Sequence, residues 1–350
     1  MRILRTAAAS VALATATLAT PSLADHHTVD HAAIAAQVDQ DYDSYLAPLF
    51  VHFHKNPELS YLENKTAARM AQELRDAGLE VTENVGGTGV VGMVKNGEGP
   101  LILLRADMDG LPVQEKSGLD YASVAKQVGQ DGKEYPVMHA CGHDVHITSM
   151  VGTARRMLAM KDQWSGTLMF IVQPAEERVG GAKAMLADGL YERFGKPDYA
   201  LAFHVASPLP TGFLSAAEGI QYSSSDSVDI TVPGIGAHGA SPHRGRDPVY
   251  IASQIVTALQ SIVSREVMPL SPAVITVGSF HAGSKHNIIS DEANLQLTVR
   301  SNDEAVRAQL LEAIERVAVN VGKAHGLPDN LPVKVEHIAG TPVTYNDPAL

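Results

Sequence analysis

The segment Met138–His146, MHACGHDVH, places three histidines, the only cysteine of the chain and an aspartate within nine residues. A thiolate and an imidazole two residues apart, on an irregular glycine-containing turn, can both face one cation. Taken alone, a Cys-x-His pair is more often a buried cysteine beside surface histidines. Here two further donor-rich strings follow, Gln173-Pro174-Ala175-Glu176-Glu177 and Phe203-His204-Val205. Each closes a run with strand character, and in a parallel sheet such carboxyl ends share the edge where α/β folds bind ligands. Hydrolysis at a metal needs donors that hold the ion and a base that takes a proton from water, and adjacent glutamates can supply one of each.

Strand-like and helix-like segments alternate along the chain, which predicts an α/β domain with a mainly parallel sheet. Val90–Val94, Leu101–Leu104, Thr167–Val172 and Tyr199–Phe203 are the strand candidates, the last two read as buried, and Val145–Met160 has apolar residues at helical spacing. A second unit begins around Ser223-Ser224-Ser225 with the strand Ser227–Val232. Asp247 can cap a helix that takes Pro248 in its first turn and carries Ala252, Ile255, Val256, Leu259, Ile262 and Val263 as one stripe. Strands at Ala273–Phe280 and Ala293–Arg300 follow. Ser301 and Glu304 then have capping-box spacing ahead of a helix with Val306, Leu310, Ile314, Val317 and Val321 on one face, stopped by Gly326. With Val333–His337 the order is βαββαβ, a ferredoxin-like α+β unit inserted into the first domain. The predicted boundaries are 25–221 for the first part of the outer domain, 222–338 for the insert and 339–350 for the return.

The amino terminus reads as a secretory signal. Two arginines in Met1–Arg5 precede an uncharged apolar run, Thr6–Leu18, and Ser22 and Ala24 stand at −3 and −1 before Asp25. The run is shorter than the roughly 20 residues a membrane span needs, so residues 1–24 are expected to be cleaved, leaving a periplasmic or extracellular protein with no membrane attachment. The composition of the 350 residues, 45% hydrophobic and 19% charged, excludes a disordered or fibrous chain. A formal charge of −12 argues against a nucleic-acid partner, and one cysteine excludes an intrachain disulfide scaffold.

The three donor strings, together with HKNPELSYLE (His54–Glu63), RADMDGLPVQE (Arg105–Glu115), GIGAHGASPH (Gly234–His243) and HNIISDEANLQLTVR (His286–Arg300), make seven blocks. In this order they resemble the peptidase M20 family of metallopeptidases and amidohydrolases, in the branch that includes hippurate hydrolases, N-acyl amino acid amidohydrolases and auxin-conjugate hydrolases. The resemblance implies a zinc-exopeptidase-like catalytic domain interrupted by a ferredoxin-like dimerisation domain. It also implies hydrolysis of a small N-acyl amino acid by a homodimer that uses two divalent ions, zinc, manganese, cobalt or nickel.

Carried over by position, Cys141, His143, Glu177 and His204 become metal ligands, with Cys141 as the bridge, and Glu176 the general base. His238 matches a histidine that reaches into the partner subunit's site, and Asn287 and Arg300 match contacts to the substrate carboxylate. Asp107 and Asp109 stand where other branches have an H-x-D ligand, but Arg105 replaces the histidine, so they are read as supporting residues. His139 and His146 are left open between lining the site and binding metal, while His26, His27, His52 and His54 are read as structural or disordered. Members of the branch continue past the point matching Leu350 with a G-A-E-D-F block and a further metal-binding histidine. The sequence is therefore expected to be part of a longer chain, with a natural short form as the alternative. The competing functional expectations are a catalytically silent, dimerising binding protein and a metallo-carboxypeptidase or dipeptidase of the wider family.

Overall fold

The computed structural model describes residues 30–350, so the signal segment and its cleavage point lie outside the described residues. Three helices, α1 (His31–Asp41), α2 (Ala47–Lys55) and α3 (Asn64–Ala77), lead into strands β1 (Glu80–Val85), β2 (Gly89–Asn96) and β3 (Leu101–Asp107). A small hairpin, β4 (Lys126–Val128) and β5 (Glu134–Pro136), precedes α4 (His143–Ala159) and β6 (Gly166–Gln173). Two short helices, α5 (Gly181–Ala187) and α6 (Leu190–Phe194), then return the chain to β7 (Tyr199–Ala202).

These strands form one sheet in the order β1-β2-β6-β3-β7. The α/β class is the observed one, but the sheet is mixed: β6, β3 and β7 run parallel, whereas β1–β2 and β2–β6 are antiparallel. The tight turn Gly86-Gly87-Thr88 makes β1 and β2 neighbours, and a connection that short joins only antiparallel strands. Alternation along β6 supplies both faces of the layer. Leu168, Phe170 and Val172 join Phe53, Met70, Leu74, Ile147 and Val151 in one core, while Met169 and Ile171 join Val85, Val91, Leu103 and Met185 in the other. The expected burial of Tyr199–Phe203 is not met. Among the described residues β7 pairs only with β3, so its second edge is open and all four of its residues are exposed.

The second unit contains β9 (Ser225–Pro233), β10 (Ala237–His238), α7 (Pro248–Ser261), β11 (Ala273–Ala282), β12 (Ile288–Ile289), β13 (Glu292–Ser301), α8 (Glu304–Ala324) and β14 (Lys334–Thr341). Its antiparallel sheet has the order β11-β13-β9-β14, and Ile230, Val232, Leu295 and Leu297 pack with Ile255, Leu259, Leu310 and Ile314 of the two helices. Asp247 caps α7 by accepting from Val249 N and Tyr250 N, with Pro248 in the first turn. For α8 the cap is Asp303 rather than Ser301: its carboxylate accepts from Ala305 N and Val306 N, while the Ser301 hydroxyl bonds the Asp303 backbone.

The entering and leaving segments pair as a two-stranded ribbon, β8 (Gly219–Tyr222) with β15 (Thr344–Asn346). Arg307 of α8 grips the fully buried Asp226 beside it with two hydrogen bonds of 2.8 Å. Among the described residues no helix is long and apolar enough to cross a membrane.

Candidate metal centre

The three parallel strands deliver the donors. β3 ends at Asp107; β6 ends at Gln173 and runs directly into Pro174–Glu177; β7 ends at Ala202, two residues before His204. His143 opens α4, and Gly142 before it has φ +87°. A Cβ at Gly142 would lie 2.3 Å from Val205 Cγ2, so glycine is required both for the turn and for the approach of the His204–Val205 segment.

The donor atoms of Cys141, His143 and His204 lie within 4.8 Å of one another, with Cys141 Sγ 3.3 Å from His204 Nε2. His143 Nε2 faces Asp107 Oδ2 at 3.5 Å, Glu177 Oε1 at 3.9 Å and Glu176 Oε2 at 4.0 Å. The four expected ligands and the expected base therefore converge on one place, joined by Asp107. The ring orientations carry chemical information. His143 Nδ1 donates to the Asp109 carbonyl at 2.8 Å, and His204 Nδ1 donates to the Val205 carbonyl at 2.7 Å. A carbonyl only accepts, so both rings carry hydrogen on Nδ1 and turn Nε2 toward the cluster, where the neutral ring presents the lone pair that a metal needs.

His143 Nε2 and Glu177 Oε1 are buried without a hydrogen-bond partner among the described residues. Paired acceptors left unsatisfied in this way are costly unless a cation lies between them, and the S, N and O donors present fit a divalent transition metal. Burial, reinforced by the charges of Glu177, Glu176 and Asp107, pushes the Cys141 thiol up to about 12. A bound cation supplies the opposite charge that a coordinating thiolate needs. Burial and the neighbouring Glu176 charge likewise raise the Glu177 carboxyl above its ordinary value.

His146 is resolved by its partners. Its Nε2 accepts from Val205 N at 3.0 Å, and its Nδ1 therefore donates to Asp107 Oδ1 at 2.6 Å. With both nitrogens engaged, His146 steadies the segment that carries His204. Burial acts to raise the Asp107 carboxyl, but the His146 hydrogen bond and the Arg105 and His143 charges outweigh it and hold that carboxyl well below the usual range. His139 is buried, neither ring nitrogen has a partner among the described residues, and burial pushes it down to about 4.

The remaining site residues lie on the second unit. His238 and Asn287 are neighbours: β10 pairs with β12, and Gly239 N donates to the Asn287 carbonyl at 2.8 Å. The exposed His238 accepts from Ala240 N at 3.1 Å, a bond within its own turn. Arg300 does not join Asn287. Asn287 precedes the start of β13, whereas Arg300 lies near its other end, about 27 Å of strand beyond Glu292.

Asp109 has the supporting role expected of it, and sequence reasoning passed over Glu63 and Ser60, which join it in hydrogen bonds around the Glu176–Glu177 turn; His54 sits between Asp144 (2.7 Å) and Glu115 (3.1 Å). Their signal was the acids inside HKNPELSYLE and RADMDGLPVQE. A separate apolar cavity of about 460 Å³, lined by Val38, Leu46, Phe50, Val145 and Met157 among others, contains none of the donors.

A mixed α/β sheet with this donor set at its carboxyl edge has the make-up of a metal-dependent hydrolase. Residues 103–350 match the model of peptidase family M20/M25/M40. The chain is 41% identical over 298 residues to the hippurate hydrolase of Campylobacter jejuni, covering 84% of this chain and 73% of that protein. It is 37% identical over 313 residues to thermostable carboxypeptidase 2 of Saccharolobus solfataricus, covering 88% and 76%. Among solved structures, the Bacillus subtilis YXEP protein, described as a dinuclear metal binding peptidase from the M20 family, superposes with a TM-score of 0.71 at 29% identity, over 89% of this chain and 77% of that one. The chain belongs to peptidase family M20/M25/M40.

Proposed function

We propose that this metal-dependent amidohydrolase cleaves the amide that joins an acyl group to an amino acid with a free carboxylate. Cys141, His143, Glu177 and His204 would hold a pair of divalent ions. The observation that carries the proposal is the unpaired His143 Nε2 facing the unpaired Glu177 Oε1, with Glu176 beside them. When bound, divalent cations polarise an amide carbonyl and make water more acidic. Glu176, more exposed than Glu177 and not committed to a side-chain hydrogen bond in the cluster, is proposed to take a proton from the attacking water and return it to the departing amine. His143 and His204 keep their bare nitrogens aimed because each donates its other ring hydrogen to a backbone carbonyl. Asn287 and the neighbouring His238 are proposed to meet the substrate. His238, exposed and bonded only to its own turn among the described residues, suits the role of steadying the oxyanion in a second copy of the chain within a homodimer.

Release of free amino acid from acetyl-, benzoyl- and indoleacetyl-amino acids, measured with zinc, manganese, cobalt or nickel supplied, tests the proposal. Cleavage of none of them refutes it, and parental activity in Glu176→Ala removes Glu176 as the base. The similarity to a carboxypeptidase favours a second reading, peptide cleavage at a carboxyl-terminal residue. The bond is the same type, so dipeptides cleaved faster than acyl amino acids would establish that preference. We also propose export with cleavage before Asp25, to be checked by the amino-terminal mass of protein recovered outside the cytoplasm.

A further inference from the structure

We propose that two buried carboxylates, Glu63 and Asp109, act as positioning residues that aim the Glu176–Glu177 pair by holding its backbone; this rests on the proposed role of Glu176 as base. Three consecutive N–H groups at the carboxyl end of β6 point at these acids. Ala175 N donates to Glu63 Oε1 at 2.8 Å, Glu176 N to Asp109 Oδ1 at 3.1 Å and Glu177 N to Asp109 Oδ2 at 3.1 Å. Glu63 is 0% exposed and Asp109 1%, so water does not compete for these bonds. The turn they hold needs outside support, because Ala175 has φ +43° and Val179 φ +53°, a region that residues with a Cβ seldom occupy.

Each acid is anchored from elsewhere in the fold. Glu63 also accepts from Tyr61 N (2.9 Å) and Thr88 Oγ1 (2.7 Å), and Asp109 accepts from Ser60 Oγ (2.6 Å). The Asp109 carbonyl takes the Nδ1–H of His143 at 2.8 Å, so one residue sets the ring of a proposed ligand and the direction of the proposed base. Both Asp109 carboxylate oxygens thus accept from the backbone of the proposed base and of the adjacent proposed ligand. The arrangement spans three parts of the chain: the segment after α2, the turn after β3 and the end of β6. That placement ties the position of Glu176 to the HKNPELSYLE and RADMDGLPVQE blocks, which carry none of the proposed ligands.

The two acids differ in what an amide can replace. At position 109 both oxygens accept from backbone, so an amide leaves one N–H facing another donor. At position 63 one oxygen serves Ala175 and Tyr61 and the other takes a hydroxyl, which can itself accept from an amide. The full metal-loaded chain is assayed for kcat and KM on an acyl amino acid that the parent cleaves, and for zinc affinity by chelator competition.

Asp109→Asn is expected to lower kcat by about a hundredfold with KM changed by less than about threefold, as misaimed catalytic groups do. Zinc should still bind at the parental stoichiometry, because the backbone bond to His143 is retained. Glu63→Ala is expected to lower kcat by about tenfold or more and Glu63→Gln to restore most of that loss. Asp109→Asn with parental kcat, a change confined to KM, or equal kcat values for Glu63→Ala and Glu63→Gln overturns the proposal. Should Asp109→Asn not fold, Ser60→Ala, which removes one anchor of Asp109, is expected to lower kcat without moving KM, and an unchanged kcat counts against it. An inactive Glu176→Ala beside a fully active Asp109→Asn defeats the positioning role alone, whereas an active Glu176→Ala defeats the underlying base assignment.

Discussion

Gly142→Ala tests whether the turn between Cys141 and His143 builds the donor cluster. Gly142 has φ +87°, and a left-handed backbone costs an L-residue about 1–2 kcal/mol. The added Cβ would also sit 2.3 Å from Val205 Cγ2, whereas carbon atoms settle at roughly 3.5–4.0 Å, so the two must part by about 1 Å or more. Val205 cannot move alone. Its carbonyl accepts from His204 Nδ1 at 2.7 Å and its N–H donates to His146 Nε2 at 3.0 Å, so its displacement takes His204 out of line with Cys141. A misplacement of about 1 Å at a reacting centre costs on the order of a hundredfold in rate. Gly142→Ala should therefore lose about 1–2 kcal/mol in urea unfolding, hold zinc less tightly against a chelator and turn over about a hundredfold more slowly. Adding Val205→Ala removes Cγ2 but leaves the backbone strain, so zinc retention should recover while stability does not. Parental zinc retention and turnover in Gly142→Ala would refute this reasoning, and no recovery in the double variant would show that the damage does not pass through Val205.

Cys141→Ser should lower bound metal measured by elemental analysis, and unchanged metal content would count against the ligand set. His54 supports folding through Asp144 and Glu115: its burial acts to lower its pKa, but the two carboxylates outweigh this and the net shift is upward. A raised histidine contributes stability that is fully present below its unfolded pKa of about 6.5 and is lost as pH rises through the higher folded value. His54→Gln should therefore flatten the decline in unfolding free energy above that pH, and an unaltered profile would exclude His54 as its source. Arg307→Met leaves the buried Asp226 charge with only the half-exposed His337 at 3.6 Å for a partner and should destabilise the chain by about 3–5 kcal/mol in urea unfolding, the usual result of breaking a buried pair. A loss below about 1 kcal/mol, the range of an exposed pair, would mean that Asp226 is not effectively buried.

Much of the fold was legible because periodicity reports burial. The stripe of α7, its cap at Asp247 and the alternation along β9 and β13 all follow from local sequence, and their observed bounds lie close to the expected ones. Exposure of β7 was not legible, since an apolar strand looks the same whether one edge or both are covered. The cap of α8 was misplaced by two residues because Ser301 and Asp303 are both good caps, and the chain path decides which carboxylate or hydroxyl meets the free N–H groups. The antiparallel pairing of β1 with β2 was settled by the Gly86-Gly87 turn, a local feature, whereas the antiparallel β2–β6 pairing joins strands far apart in sequence and was not legible from it.

The sequence by itself determined the donor types, their order along the chain and their positions at strand ends, because those depend on residue identity and on short-range pattern. Tertiary structure alone decided which nitrogen of each histidine is free, since that depends on a carbonyl brought from elsewhere in the chain or from the adjoining turn. It also withdrew His146 from the donors by engaging both of its nitrogens. The same long-range packing placed Glu63 and Asp109 under the Glu176–Glu177 turn. A buried acid and the N–H groups it holds can be more than a hundred residues apart, and only the folded chain brings them within hydrogen-bond reach.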